Sequence, residues 1–221
     1  WETEEYLKRD GRIFDSKTGP ADPELMRQAQ IGYYACITHL DHQIGRLIMG
    51  LVEHEIYEDT VILFTSDHGE ELCDHHMFRK SRPYEGSCRI PLLFRAGSGT
   101  GITVKSGQRC HSVAELRDIM PTLLDIAGAE IPDSVDGKSL LPLAADTGQT
   151  VRGWLHGEHS YGDFSNHWIV TEHDKYIWYP ETGQEQYFDL SEDPHELTDL
   201  SADPGCQARI SQLRGYLIQS L

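Results

Sequence analysis

TVILFTSDHGEELCDHH, residues 60–76, is the stretch on which the reading of this chain turns. The run Val61–Thr65 is β-branched and aromatic with no polar alternation. It therefore reads as a strand covered on both faces, hence a central parallel strand of an α/β sheet. Open sheets of that kind bind ligands beyond the carboxyl ends of their strands. Asp67 is the first carboxylate past that end, His68 adjoins it, and Gly69 permits a sharp turn. Carboxylate oxygens suit Ca²⁺ or Mg²⁺, and a carboxylate beside an imidazole suits Zn²⁺ or Mn²⁺ equally well. Lys80 follows twelve residues after His68. A compact ammonium in a concave site is a natural partner for an oxyanion. Taken alone, Asp-His-Gly is as well explained by an ordinary turn after a strand.

Working outward, residues 1–20 read as an irregular lead-in ending in Gly-Pro. A long helix follows from Asp22 as N-cap, with Pro23 in the first turn and Glu24 at the positive end. Ile37, Leu40, Ile44, Leu47, Ile48 and Leu51 recur at helical spacing within it. RIPLLFRAG, residues 89–97, reads as a second, shorter strand. SVAELRDIMPTLLDIAGA, residues 112–129, predicts a helix capped by Ser112, with Glu115 completing a capping box, Pro121 kinking it and Gly128 ending it. Past residue 150 the texture changes to four short aromatic runs separated by turn residues, which predict a small antiparallel sheet, and a closing helix. The expected organisation is an α/β portion over 1–150 and a small α+β portion over 151–221.

The formal charge of −17 argues against nucleic acid as a partner, because phosphate contacts need clustered Lys and Arg. A local anion site remains compatible with it. No apolar run is long enough to span a bilayer. Five cysteines, none spaced C-x-x-C, fit neither a disulfide framework nor a zinc ribbon, and as free thiols they favour a reducing, cytoplasmic location over a periplasmic or secreted one. The opening WETEEYLKRDGRIFD lacks an initiator Met and reads as an internal stretch of a longer protein.

FTSDHGEELCDHHMFRKSRPYEGSCRIPLLF, residues 64–94, resembles the second half of sulfatases of the alkaline-phosphatase superfamily. Asp67, His68, Gly69, Lys80, Tyr84, Glu85, Arg89 and Pro91 fit that pattern. HLDHQIGRLIMGL, LRDIMPTLLDIAG, DGKSLLPL and YFDLSEDPHELTDL follow it in the same order. The resemblance implies the C-terminal part of an alkaline-phosphatase-like α/β sandwich, followed by the small antiparallel sheet with its helix. It makes Asp67 and His68 ligands of one divalent cation, usually Ca²⁺. It gives Lys80 and His75 catalytic or sulfate-contacting roles. For His76 and Arg79 a solvated loop is the first reading and substrate contact the second. Glu85 and Arg89 would brace the loop. His156 and His159, in WLHGEHSYGDFSNHW, are candidate substrate contacts, against which stand polar loops of a small sheet.

The family's nucleophile is a formylglycine made from Cys or Ser in Cys/Ser-x-Pro-x-Arg. None of the five cysteines has that context, and SRPYE at Ser81 has Glu85 where Arg is required. The resemblance therefore places the nucleophile in an N-terminal half outside this chain, which would be its partner. The implied substrate is a sulfate-ester small molecule or a sulfated carbohydrate. The competing readings are a phosphate or phosphonate ester hydrolase of the same superfamily, and a non-catalytic fragment completing another chain.

Overall fold

In the computed structural model, which describes residues 22–161 and 164–221, Asp22 caps the first helix as its sequence requires. The expected lead-in over residues 1–20 lies outside the described residues. The Asp22 carboxylate accepts from the Glu24 backbone N–H at 2.8 Å, and Pro23 takes the first helical position, where no N–H is needed. The helix α1 runs Pro23–Glu53 and ends as Glu55 turns to φ 60°. None of its residues is buried, and Ile31, Tyr34, Leu40, Leu47, Met49 and Val52 stand exposed along it.

α1 belongs to the first of two compact units, formed by residues up to Lys80 together with Tyr84–Gly101. Its strands are β1 (Val61–Thr65) and β2 (Leu92–Ala96), separated by a single helical turn, α2 (Glu85–Cys88). The expected parallel neighbour is corrected here: among the described residues β1 pairs with β2 alone, antiparallel, with Val61 opposite Ala96 and Thr65 opposite Leu92. An unalternating apolar run reports cover on both faces and says nothing of the neighbour's direction. Direction is set by the connection, and residues 66–91 contain no helix long enough for a parallel crossover. Arg95 fastens the hairpin. It pairs with Glu58 at 3.0 Å, donates to the Tyr57 carbonyl at 2.8 Å and lies 3.5 Å above the Tyr57 ring.

The second unit comprises Ser81–Pro83 and Ile102–Leu221. Its helix α3 (Ile119–Ile126) is shorter than its sequence predicts. Ser112 does not cap it; the Ser112 hydroxyl bonds Thr150 instead, at 3.2 Å. The capping box is made by Glu115 and Asp118, at the start of a 3₁₀ turn Leu116–Asp118 that leads into α3. Pro121 falls in the first turn of α3, so it costs no hydrogen bond and makes no kink. Gly128, at φ 65°, ends the helix as expected. A one-turn helix α4 (Leu141–Ala145) follows.

Asp118 is the knot of this region. It is fully buried and holds Arg152 in a two-pronged pair at 2.5 Å, while accepting the Lys138 and Glu115 backbone N–H groups at 2.8 and 2.9 Å. Burial works against its charged form, but these bonds outweigh burial and hold the carboxyl below its ordinary range. LRDIMPTLLDIAG and DGKSLLPL are thus joined: Thr122 also accepts the Leu140 N–H at 2.9 Å.

The four aromatic runs form the four-stranded antiparallel sheet in simple order, β3 (Leu155–Tyr161), β4 (Phe164–Val170), β5 (Asp174–Tyr179) and β6 (Gln184–Asp189). The closing helix α5 (Gln207–Ser220) lays Ile210, Leu213 and Leu217 on Ile169, Tyr176 and Tyr187. Two ion pairs lock it down: Arg209 on Asp174 at 2.6 Å, and Arg214 on Glu185 at 2.7 Å.

Asp174 makes this lock pH-dependent. Burial raises its pKa, but the bonds from Arg209 and Thr171 win and the carboxyl sits below its ordinary value. A depressed carboxylate stabilises the fold above its unfolded pKa of about 3.9, and that stability is lost as pH falls through the lower folded value. The thermal-midpoint gap between wild type and Asp174→Asn is therefore expected to be full at pH 7 and to shrink as pH falls below about 4. A gap that stays constant with pH would show that Asp174 is not charged in the fold.

Candidate active site at the end of the first strand

Asp67 and His68 leave the carboxyl end of β1 as the sequence predicts. The His68 N–H donates to Asp67 Oδ1 at 3.0 Å, and the Ser66 hydroxyl donates to the His68 carbonyl at 2.7 Å. Those contacts set the two side chains on one side: His68 Nε2 stands 3.6 Å from Asp67 Oδ2. The bond from the His68 N–H, aided by the nearby imidazole, holds the exposed Asp67 carboxyl below its ordinary range. His68 Nδ1 lies 2.7 Å from the Gly69 carbonyl. With the proton on Nδ1, that bond leaves Nε2 with a free lone pair beside a carboxylate oxygen, the arrangement a metal-binding His usually shows. The donor set fits one divalent cation.

Gly69 is required for space rather than for a turn. A Cβ there would lie 2.1 Å from the Gly86 carbonyl oxygen, because the Gly69 N–H donates to the Ser87 carbonyl at 2.8 Å. The turn after His68 is thus seated directly on α2. Gly69→Ala is expected to push the turn off α2, costing about 1–3 kcal/mol of stability. Urea unfolding measures this; a change below about 0.5 kcal/mol, the range of ordinary surface substitutions, would mean that the contact is loose.

The loop beyond Gly69 returns on itself. Glu70 accepts the Leu72 and Arg79 backbone N–H groups, and the Glu71 N–H donates to the Arg79 carbonyl at 2.8 Å. Residues 70–71 and 79 are therefore neighbours, which brings the chain just before Lys80 back beside the residues that follow His68 and Gly69. Within this ring Leu72, Cys73, His75, His76 and Arg79 all hold positive φ, from 45° to 85°. Each such position costs of order 1–3 kcal/mol and persists only where its surroundings over-determine it, as at binding sites. His75 is half-buried and stacks on the buried Tyr84 ring, centroids 4.3 Å apart. His76, Arg79 and Lys80 are exposed. Arg89 pairs with Glu85 at 3.7 Å across α2.

His156 and His159 lie in the other unit, on β3. Strand alternation turns them to opposite faces, so a single pocket on this sheet takes one or the other. His159 Nε2 is buried and finds no hydrogen-bond partner among the described residues. The sequence reading missed Glu70 as the clasp of the loop, Tyr84 as the platform under His75, and His167 altogether.

The strand-end carboxylate and imidazole and the loop that turns back beside them mark the candidate site of an α/β chain, and comparison with known proteins gives its family. The family model described as "Sulfatase" matches residues 1–129, and "N-sulphoglucosamine sulphohydrolase, C-terminal" matches residues 73–220. An arylsulfatase of Clostridium perfringens is 45% identical over 221 residues, all of this chain and 46% of the relative. Human arylsulfatase K is 34% identical, across 83% of this chain and 35% of its own length. The chain belongs to the sulfatase family and spans about half the length of the curated relatives it matches. Among solved structures, BT4656 in complex with its substrate D-glucosamine-2-N,6-O-disulfate superposes with TM-score 0.77 at 26% identity, over 83% of this chain and 38% of that one. The phosphonate monoester hydrolase of Agrobacterium radiobacter gives 0.72 at 29% identity, over 85% and 40%.

Proposed function

We propose that this chain supplies the cation-binding strand end and the anion-contacting lysine of a sulfuric ester hydrolase. The observation that supports the reading is the closed loop, which sets Arg79, the residue before Lys80, against Glu70 and Glu71 just past Asp67 and His68. Asp67 Oδ2 and His68 Nε2 would hold one divalent cation, Ca²⁺ on the resemblance and Mg²⁺, Mn²⁺ or Zn²⁺ on donor chemistry alone. The cation, when bound, supplies positive charge against the sulfate oxygens. Lys80 adds its ammonium where charge develops on the leaving oxygen. His75, held against Tyr84, would contact the sulfate. His76 and Arg79 extend towards solvent, where a larger substrate would pass. The formylglycine nucleophile and the remaining cation ligands are expected in the N-terminal half. Residues 1–150 are assigned to the catalytic domain and 151–221 to its C-terminal subdomain.

The substrate class is a sulfate ester, either aryl or carbohydrate. The similarity to BT4656 and to the sulphoglucosamine sulphohydrolase model favours a sulfated sugar. A phosphonate ester is the second reading, favoured by the similarity to the Agrobacterium hydrolase. The full-length protein, assayed on a matched aryl sulfate and aryl phosphonate, tests the choice. Faster sulfate turnover that falls in Asp67→Asn is expected; faster phosphonate turnover would overturn the sulfatase reading.

A further inference from the structure

A second convergence of titratable side chains lies on the β3–β4 hairpin. Strand alternation puts His156 and Glu158 on one face of β3, and the register sets Glu158 opposite His167 of β4. His156 is then diagonal to His167 on that same face. The side chains meet accordingly. His156 Nε2 is 3.2 Å from His167 Nδ1, and His167 Nδ1 is 3.5 Å from Glu158 Oε2. One donor atom from each of the three residues lies within 4.8 Å of the other two, the sole such trio among the described residues. The imidazoles lie almost parallel at 11°, and Trp178 packs against His167 at 5.7 Å, so the ring has little freedom to turn away.

Two imidazole nitrogens facing each other at this distance cannot both present bare lone pairs. A proton or a cation must lie between them. His156 and Glu158 of the trio line a surface depression together with Glu115, Arg117 and Ser220. Arg117 is the one cation there, and Glu115 accepts from it at 2.7 Å, which offsets its repulsion. Ser220 is the last residue of α5, whose carbonyl end favours positive charge.

We propose that His156, Glu158 and His167 form a binding site for a zinc-type divalent ion, with two imidazoles and one carboxylate as ligands and a further position open to solvent. On binding, the ring that carries its proton on the facing nitrogen gives it up and takes one from solvent on its other nitrogen, so both imidazoles stay neutral and the metal takes the place between them. The site clips β3 to β4 and reassigns His156 from substrate contact to metal ligand. It does not depend on the sulfatase reading.

Co²⁺ is the probe, because tetrahedral Co²⁺ absorbs visible light far more strongly than hydrated Co²⁺. It is titrated into the full chain carrying His68→Ala, so that the strand-end site does not contribute. A strong band saturating at one equivalent and displaced by Zn²⁺ is expected. Adding His156→Ala or His167→Ala should weaken binding by more than about 100-fold, beyond the ~10–100-fold that loss of a mere supporting group costs. Glu158 is two-thirds exposed, so Glu158→Gln leaves the fold intact and decides the matter should a His variant unfold. It should weaken binding at least about tenfold. Absence of the band, or a band indifferent to Glu158→Gln and His167→Ala, would overturn the site and leave a plain His–His hydrogen bond.

Discussion

Lys80→Ala in the full-length protein is expected to lower sulfate-ester turnover by about 10²–10³, the usual cost of removing one donor aimed at a developing oxyanion. Lys80 is exposed, so its loss removes no packing and the thermal midpoint should stay within the small range of surface substitutions. The effect should fall on kcat more than on KM, because the charge is felt most when the leaving oxygen carries its full negative charge. Lys80→Arg should recover only part of the rate, since a planar guanidinium cannot occupy the point position of an ammonium. Comparing kcat, KM and the thermal midpoint of both variants with wild type makes the test. Near-normal kcat for Lys80→Ala would return Lys80 to the solvated surface and leave the loop closure without its catalytic meaning.

The strand end was legible because the signal was local. An apolar run, then carboxylate, imidazole and glycine, fixes which residues leave the sheet together, whatever the neighbouring strand does. The long helix and the four aromatic strands were legible for the same reason, since a cap at Asp22 and turn residues between short runs act within a few positions. What sequence could not carry was everything decided across distance. The direction of β2 depended on a connection whose single helical turn was too short to recognise. The cap of α3 went to Asp118 because Arg152, more than thirty residues away, fixed that carboxylate in place. The left-handed backbone of Cys73, His75 and His76 has no glycine to announce it. Gly69 was marked for the wrong reason, because its real neighbour, Gly86, is visible only once α2 is folded against it. His156 and His159 looked like a pair in the sequence, and the strand separates them; His167 had no visible partner until the hairpin register supplied one.

Lys175→Met is the substitution expected to damage folding most. Lys175 and Glu196 are 0% and 1% exposed, with Lys175 Nζ 2.8 Å from Glu196 Oε1 and 2.8 Å from the Pro83 carbonyl. Lys175 lies on the face of β5 opposite Tyr176 and the α5 core, so this buried pair is the polar centre of the sheet's other side. Methionine fills much of the same space, but it leaves a buried carboxylate without its ammonium and a carbonyl without its donor. Breaking one side of such a pair costs about 3–5 kcal/mol, a large share of the 5–15 kcal/mol that holds a typical domain together. Replacing both charges is a different experiment. Lys175→Met with Glu196→Leu removes the uncompensated carboxylate, and apolar pairs of similar volume are often as stable as the ion pair they replace. Urea unfolding of both variants beside wild type separates the two costs. The single variant is expected to unfold at much lower urea and the double variant to recover most of the loss. If the single variant loses less than about 1 kcal/mol, the value of an exposed pair, then water reaches Glu196 and the sheet is not closed on that side.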